Sequence, residues 1–330
     1  MVDDMVRRAR GSLIGLAVGD AMGSPTEGKS IAQIRERWGR VTDFISPDQS
    51  GTDDTEYALF SASLLLTHGR ALTPKIVAES WRRGIISKDN RYKGAGFSEM
   101  MTIANLNAGL EPPLSGIHLH SWSDGLAMRA APYGIAACGD PFLAASLTEI
   151  DGCVSHSGEG IYGGQAVAAA VAMAMTGAGV DELVSVALAV IPADCWTSRA
   201  IINAAEIARK SEDVWSALEP LYNQLVCKSY YWSDMAPEAV SLAFGVLIAA
   251  RGEYVDSVLG AINIGRDTDT IAAIAGAIAG ARVGIDAIPN DWAEHIREAK
   301  GTCIHAVAGV DIQSAADSLA AMAIKWSKDR

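Results

Sequence analysis

Two short stretches of the chain combine carboxylates and hydroxyls in greater number than a helix start needs. Ser50 to Phe60 reads SGTDDTEYALF, and Gly265 to Gly284 reads GRDTDTIAAIAGAIAGARVG. Thr52, Asp53 and Asp54 precede one apolar helical run, and Asp267, Thr268, Asp269 and Thr270 precede the other. One Thr or Asp caps a helix by accepting an N–H of its first turn, and a further acid suits the positive helix end. On that reading Asp53 and Glu56 form a capping box. Capping occupies one side chain per helix, whereas each stretch supplies two carboxylates and at least one hydroxyl. Such oxygens are hard ligands that suit Mg²⁺ or Mn²⁺, where zinc would bring His or Cys. If the two helix starts meet, four carboxylates crowd one pocket. Unit charges about 4 Å apart repel by about 4 kcal/mol at an effective dielectric of about 20, so the cluster requires protons or cations. Two metals about 3.5 to 4 Å apart fit that ligand count.

Other stretches could complete a site. GLAVGDAMGSPTEG, Gly15 to Gly28, ends an apolar helix with Asp20 and places Glu27 in the following loop. Asp20 reads either as a buried, hydrogen-bonded acid or as part of the site, and Glu27 either as a surface residue or as a carboxylate that activates water. SDGLAMRAAPYG from Ser123 and SHSGEGIYGGQA from Ser155 offer Asp124, Gly125 and His156. These residues read as a helix cap and a loop histidine, or as small and polar groups around a ligand held by backbone N–H. DNRYKGAGFSE, Asp89 to Glu99, is a Gly-rich loop either at a ligand or simply at the surface. Trp196, Trp232 and Trp292 read as packing residues.

Helical periodicity recurs along nearly the whole chain, from Met5 to Met22 through to Ile312 to Trp326, and alternating strand patterns are nearly absent, so the fold class is all-α. Pro74, Pro141 and Pro237 stand where a first helical turn tolerates a missing N–H, and Gly69, Gly139 and Gly152 fall just past helix ends. Gly276, Gly280 and Gly284 leave a bare stripe on which another backbone can lie, which marks a central helix. With no linker, charge block or repeat, residues 1–330 are expected to form one domain.

Composition narrows the function. The 330 residues are 49% hydrophobic and 20% charged, with mean hydropathy +0.16, as in a globular protein with a large interior. A formal charge of −12 and a pI near 4.9 disfavour a nucleic-acid polymer as partner. Five cysteines without C-x-x-C spacing argue against a disulfide framework and a thiolate metal site, and point to buried thiols in a reducing, cytoplasmic setting. The N-terminus imitates a signal peptide, but Asp20 interrupts it and no A-x-A cleavage site follows, so it is read as part of the fold. Gly160 to Val180 is uncharged and long enough to span a bilayer. Its Ala and Gly content identifies it instead as a buried helix, and no membrane is implied.

Taken together, GLAVGDAMGSPTEG, GTDDTEYA, DGLAMRAAPYG, SHSGEG and GRDTDTIAAIAGAIAGA, in this order, resemble the ADP-ribosylglycohydrolase family, which contains dinitrogenase reductase-activating glycohydrolase, the ADP-ribosyl-acceptor hydrolases and J1 crystallin. The resemblance implies a compact, orthogonal multi-helix fold and a binuclear Mg²⁺ site, with Mn²⁺ in some members. It implies hydrolysis of an N- or O-glycosidic bond to ADP-ribose, on a protein or a small derivative. Thr52, Asp53 and Asp54 would be metal ligands from one helix start, and Asp267, Asp269 and Thr270 from the other. Glu27 and Asp269 would be the candidate bases, and Asp124, Gly125 and His156 would lie along the ADP-ribose groove. Two positions depart from the family pattern: Arg266 replaces a second Gly, and Asp124 replaces a frequent Asn. A cation beside the metals and an acid in the groove would redirect substrate preference. This leaves an N-glycosidase for a nucleoside-like metabolite, or a non-catalytic binding relative, as competing expectations.

Overall fold

Apolar residues at helical spacing become sixteen α-helices in the computed structural model, which describes residues 2–86 and 96–328. The first half contains α1 (Val2–Gly23), α2 (Ile31–Trp38), α3 (Asp53–His68), α4 (Pro74–Gly84), α5 (Phe97–Asn107), α6 (Ala131–Ala136), α7 (Pro141–Gly152) and α8 (Glu159–Ala174). The second half contains α9 (Val180–Ala189), α10 (Trp196–Lys210), α11 (Val214–Leu225), α12 (Ala236–Ala249), α13 (Tyr254–Asn263), α14 (Thr268–Val283), α15 (Asn290–His295) and α16 (Ile312–Lys328). Two two-residue strands, β1 (Lys29–Ser30) and β2 (Gly265–Arg266), pair antiparallel. Residues 89–95 of the Gly-rich loop lie outside the described residues.

The all-α expectation holds, with two local differences. Helix α2 has no counterpart in the periodicity reading, although Ser30 and Gln33 close a full capping box at its start. The periodicity of Leu126 to Ala137 predicts one helix over that whole stretch, but the helix begins only at Ala131. Pro132 in its first turn has no N–H to continue an earlier helix, so residues 126–129 form turns.

The bare stripe on α14 has a matching one on α1, and together they set the position of the site. A Cβ at Gly11, Gly15, Gly19 or Gly23 would fall under 3.0 Å from the backbone at Gly280, Gly276, Ala272 and Thr268 respectively. The two helices therefore cross antiparallel with their backbones in contact, and the end of α1 lies beside the start of α14. Thr268 Oγ1 donates to the Gly23 carbonyl at 2.9 Å, and Thr26 Oγ1 to the Ile262 carbonyl at 2.9 Å. Gly280→Ala is expected to destabilise the protein by about 3 kcal/mol, because the added methyl meets the Gly11 carbonyl rather than a movable side chain. A urea midpoint equal to that of the wild type would contradict so close a crossing.

The surrounding helices join one connected core of buried apolar residues. The long uncharged run at Gly160 becomes the mostly buried α8. Among the described residues no helix is long and apolar enough to cross a membrane. Trp292 packs as expected, buried with its Nε1 donating to Asp43 at 3.0 Å. Glu56 does not complete a capping box. Its fully buried carboxylate accepts the N–H groups of Thr302 at 2.7 Å, Cys303 at 2.8 Å and Ile304 at 2.5 Å, and so ties the chain before α16 to α3.

Candidate metal and substrate site

Helix α3 is capped by a residue from another helix. Thr52 occupies the N-cap position without a side-chain cap bond. The Asp20 carboxylate of α1 accepts instead from Thr52 N at 2.8 Å, Thr52 Oγ1 at 2.6 Å, Thr55 N at 3.0 Å and Thr55 Oγ1. Of the alternatives open for Asp20, the geometry selects the buried, hydrogen-bonded acid. Its work leaves Asp53 and Asp54 free of capping. Asp267, the N-cap of α14, likewise makes no side-chain cap bond.

The two acid-rich helix starts do meet. Thr270 Oγ1 donates to Asp54 Oδ1 at 3.3 Å, and both residues line one cavity with Thr52, Asp53, Asp267 and Asp269. Asp54 Oδ2 and Asp269 Oδ1 are buried without a hydrogen-bond partner among the described residues. A buried carboxylate oxygen without a donor is costly, and a cation is the natural complement. Glu27, Asp267 and Asp269 each present a ligand atom, all within 4.8 Å of one another, a spacing suited to one ion. The donor set is entirely carboxylate and hydroxyl oxygen, so it fits a hard divalent metal.

Electrostatics agree. Burial pushes Asp53, Asp54, Asp124, Asp267 and Asp269 well above the usual carboxylate range, and neighbouring acids push them further: chiefly Asp269 on Asp53, Asp20 on Asp54, Asp234 on Asp124, Asp124 on Asp267 and Asp267 on Asp269. Loss of solvent around the Glu27 carboxyl raises it as well; Lys29 opposes this, and Asp20 and Asp234 add to it.

The cavity has a volume of about 740 Å³, within the range of small-molecule sites. Asp124 and Gly125 line it, and Asp124 Oδ2 is buried without a partner. His156 stands behind the wall: it is 1% exposed, with Nε2 3.0 Å from Ser123 Oγ and Nδ1 2.8 Å from Ser155 Oγ. Burial first, then Arg129, holds its pKa well below the ordinary histidine value, so the ring is neutral. It therefore orients Ser123, which does face the cavity.

Several wall residues escaped the sequence reading. Glu99, Asp234, Phe97 and Tyr231 line the cavity, and so does Trp232, which corrects its assignment to packing. The Trp232 ring meets Phe97 edge-on at 5.8 Å and His120 at 5.2 Å. Glu99 is held by Arg129, a fully buried cation that also binds Asp151 at 3.0 Å and Ser155 Oγ at 2.7 Å. The signals available were weak: an acid before the proline of α12 reads as an ordinary cap, and Glu99 reads as the end of a loop. Arg266 is a second correction. Its guanidinium points not at the carboxylate cluster but at Glu238 and the Trp232 carbonyl.

Comparison with known proteins converges on one group. The model of the ADP-ribosylglycohydrolase family matches residues 1–328. An uncharacterized protein of Archaeoglobus fulgidus is 34% identical over 303 residues, which cover 89% of this chain and 93% of that one. The ADP-ribosylarginine hydrolase Tri1 of Pseudomonas putida is 27% identical over 308 residues, 88% of this chain and 74% of that one. A solved structure titled ADP-ribosylglycohydrolase-related protein complex superposes with a TM-score of 0.68 at 22% identity, covering 97% of this chain and 99% of that one, and shares the fold. The match over almost the full length and the helical architecture together assign the chain to the ADP-ribosylglycohydrolase family, whose members hydrolyse ADP-ribosylated substrates.

Proposed function

We propose that the protein hydrolyses the N- or O-glycosidic bond between ADP-ribose and a protein side chain or small acceptor, using two Mg²⁺ ions, with Mn²⁺ suited to the same ligands. The observation that carries this reading is the pair of buried oxygens, Asp54 Oδ2 and Asp269 Oδ1, which have no hydrogen-bond partner among the described residues and belong to two helix starts that line one cavity. Thr52, Asp53, Asp54, Asp267, Asp269 and Thr270 would hold the ions, in one domain spanning residues 1–330. The five cysteines, none of which forms a disulfide among the described residues, accord with a cytoplasmic setting. Bound cations would supply positive charge to fix the ribose hydroxyls and to acidify water.

The rest of the reaction falls to the chain's own groups. When the bond at the anomeric carbon breaks, its electron pair leaves with the acceptor atom, the sugar gains oxocarbenium character, and water adds to that carbon. The water must lose a proton. We assign that proton to Asp269 or, alternatively, to Glu27, both of whose carboxyls burial raises above the ordinary carboxylate value. Asp124, Asp234 and Glu99 give the wall acceptors for a cationic or N–H-bearing leaving group. Gly125 leaves room on that wall for the Glu99 carboxylate, which a Cβ there would meet at under 3.0 Å, and neutral His156 fixes Ser123.

The test is a turnover panel of ADP-ribosyl arginine, ADP-ribosyl serine, O-acetyl-ADP-ribose and free nucleosides, each with Mg²⁺, Mn²⁺ or chelator. Metal-dependent release of ADP-ribose from one of the first three is expected. Turnover of nucleosides alone would replace this reading with a nucleosidase, and binding without turnover would replace it with a binding protein.

A further inference from the structure

Arg266 is held at φ +70°, a left-handed conformation that disfavours a residue with a side chain and that glycine adopts freely. Its side chain explains why arginine is kept there. Nε donates to Glu238 Oε1 at 2.5 Å and a terminal nitrogen donates to the Trp232 carbonyl at 2.9 Å. Glu238 is 1% exposed and accepts the Cys227 N–H at 2.7 Å through its other oxygen. The segment between α11 and α12 has no helix of its own, yet it carries Tyr231, Trp232, Ser233 and Asp234 onto the cavity wall. Its far side is tied to the 122–124 loop, with Asp124 N donating to the Asp234 carbonyl at 2.9 Å and Ala236 N to the Trp122 carbonyl at 3.0 Å. On its backbone side Arg266 pairs with Lys29, and its carbonyl accepts the N–H of Gly28, next to Glu27, at 2.8 Å. Along the chain it immediately precedes Asp267.

We propose that Arg266 is a positioning residue. With Glu238 it clasps the aromatic segment 227–235 to the acid-rich start of α14 and sets the distance between the carboxylate cluster and the Trp232 wall. A substrate that spans both is then met by a wall already in place, so the clasp acts on substrate affinity rather than on the chemical step. The side-chain hydrogen bonds of Arg266 go to Glu238 and the Trp232 carbonyl, not to the carboxylate cluster.

The inference rests on the ADP-ribosyl reading for its ligand but not for its first measurement. Hydrogen exchange of ligand-free wild-type and Arg266→Gly protein reads the clasp alone. Amides of residues 228–235 should exchange about tenfold faster in the variant, and those of α14 at wild-type rates. Glycine accepts φ +70° and keeps the Gly28 bond, so the variant is expected to fold; Glu238→Gln, with the shape of the carboxylate but not its charge, gives the same comparison otherwise. ADP-ribose with Mg²⁺, followed by tryptophan fluorescence, should bind about tenfold more weakly to Arg266→Gly, with KM raised about tenfold and kcat within about twofold. Equal exchange in the two proteins overturns the clasp, and faster exchange with unchanged ADP-ribose affinity overturns its positioning role. If the wild type itself binds no ADP-ribose, the substrate reading falls, while the exchange comparison still decides the clasp.

Discussion

Replacing Asp267 and Asp269 together by alanine should reduce hydrolysis under saturating Mg²⁺ on the order of a thousandfold or more without unfolding the protein. The size follows from the several kcal/mol that cation charge contributes to such a transition state, at about 1.4 kcal/mol per factor of ten. Retained folding follows from the local structure. Among the described residues Asp267 makes no cap bond and one Asp269 oxygen has no hydrogen-bond partner, and the side-chain bond between the two acids is lost together with both. Both carboxyls are raised by burial and by neighbouring acids, chiefly Asp124 on Asp267 and Asp267 on Asp269. Removing them relieves that crowding, so the metal-free variant should melt at or above the temperature of the metal-free wild type. A steady-state assay with the preferred ADP-ribosyl substrate, paired with calorimetry in chelator, separates the outcomes. Undiminished hydrolysis would place the chemistry elsewhere, and a collapsed melting temperature would make the two acids structural.

The surplus of acids at two helix starts was legible because capping has a small, countable demand, and Asp53, Asp54, Asp267 and Asp269 exceed it. What supplies the cap was not legible. Asp20 lies 32 residues before Thr52 and reaches it only because the glycine contact of α1 with α14 brings the end of α1 to that place. The Gly276 and Gly280 stripe was visible, yet Gly11, Gly15 and Gly19 acquire meaning only as its partners. Arg266 was misread for a local reason. A positive charge one residue before an acid of the cluster suggests contact with that cluster, but at φ +70° the side chain bonds to Glu238 instead. Asp234, Glu99 and Trp232 reach the cavity on irregular segments or helix starts whose course depends on tertiary contacts, so no periodicity marks them. His156 was found at the right place in the chain, but only the packing reveals that Ser123 stands between it and the cavity.

Chelating divalent cations at about pH 8 should lower the unfolding midpoint by about 5 °C or more, and acidifying the chelated protein to about pH 6.5 should recover part of that loss. The direction follows from proton linkage. Asp53, Asp54, Asp124, Asp267 and Asp269 have folded pKa values raised well above their unfolded ones. Over the interval between the two values the folded state holds more protons than the unfolded chain, so metal-free stability falls as pH rises and returns as pH falls. Bound cations remove the need for those protons, so with Mg²⁺ the same acidification should gain little. His156 sets the lower limit of the window. Its folded pKa is depressed, so below about 6.5 the unfolded chain takes up the proton first and further acid destabilises the protein. Melting curves at several pH values, each with chelator and with Mg²⁺, test both effects. A midpoint indifferent to chelation at pH 8, or one that falls on acidification from pH 8 to 6.5 in chelator, would mean that the carboxylate cluster does not carry the strain from which a metal site was inferred.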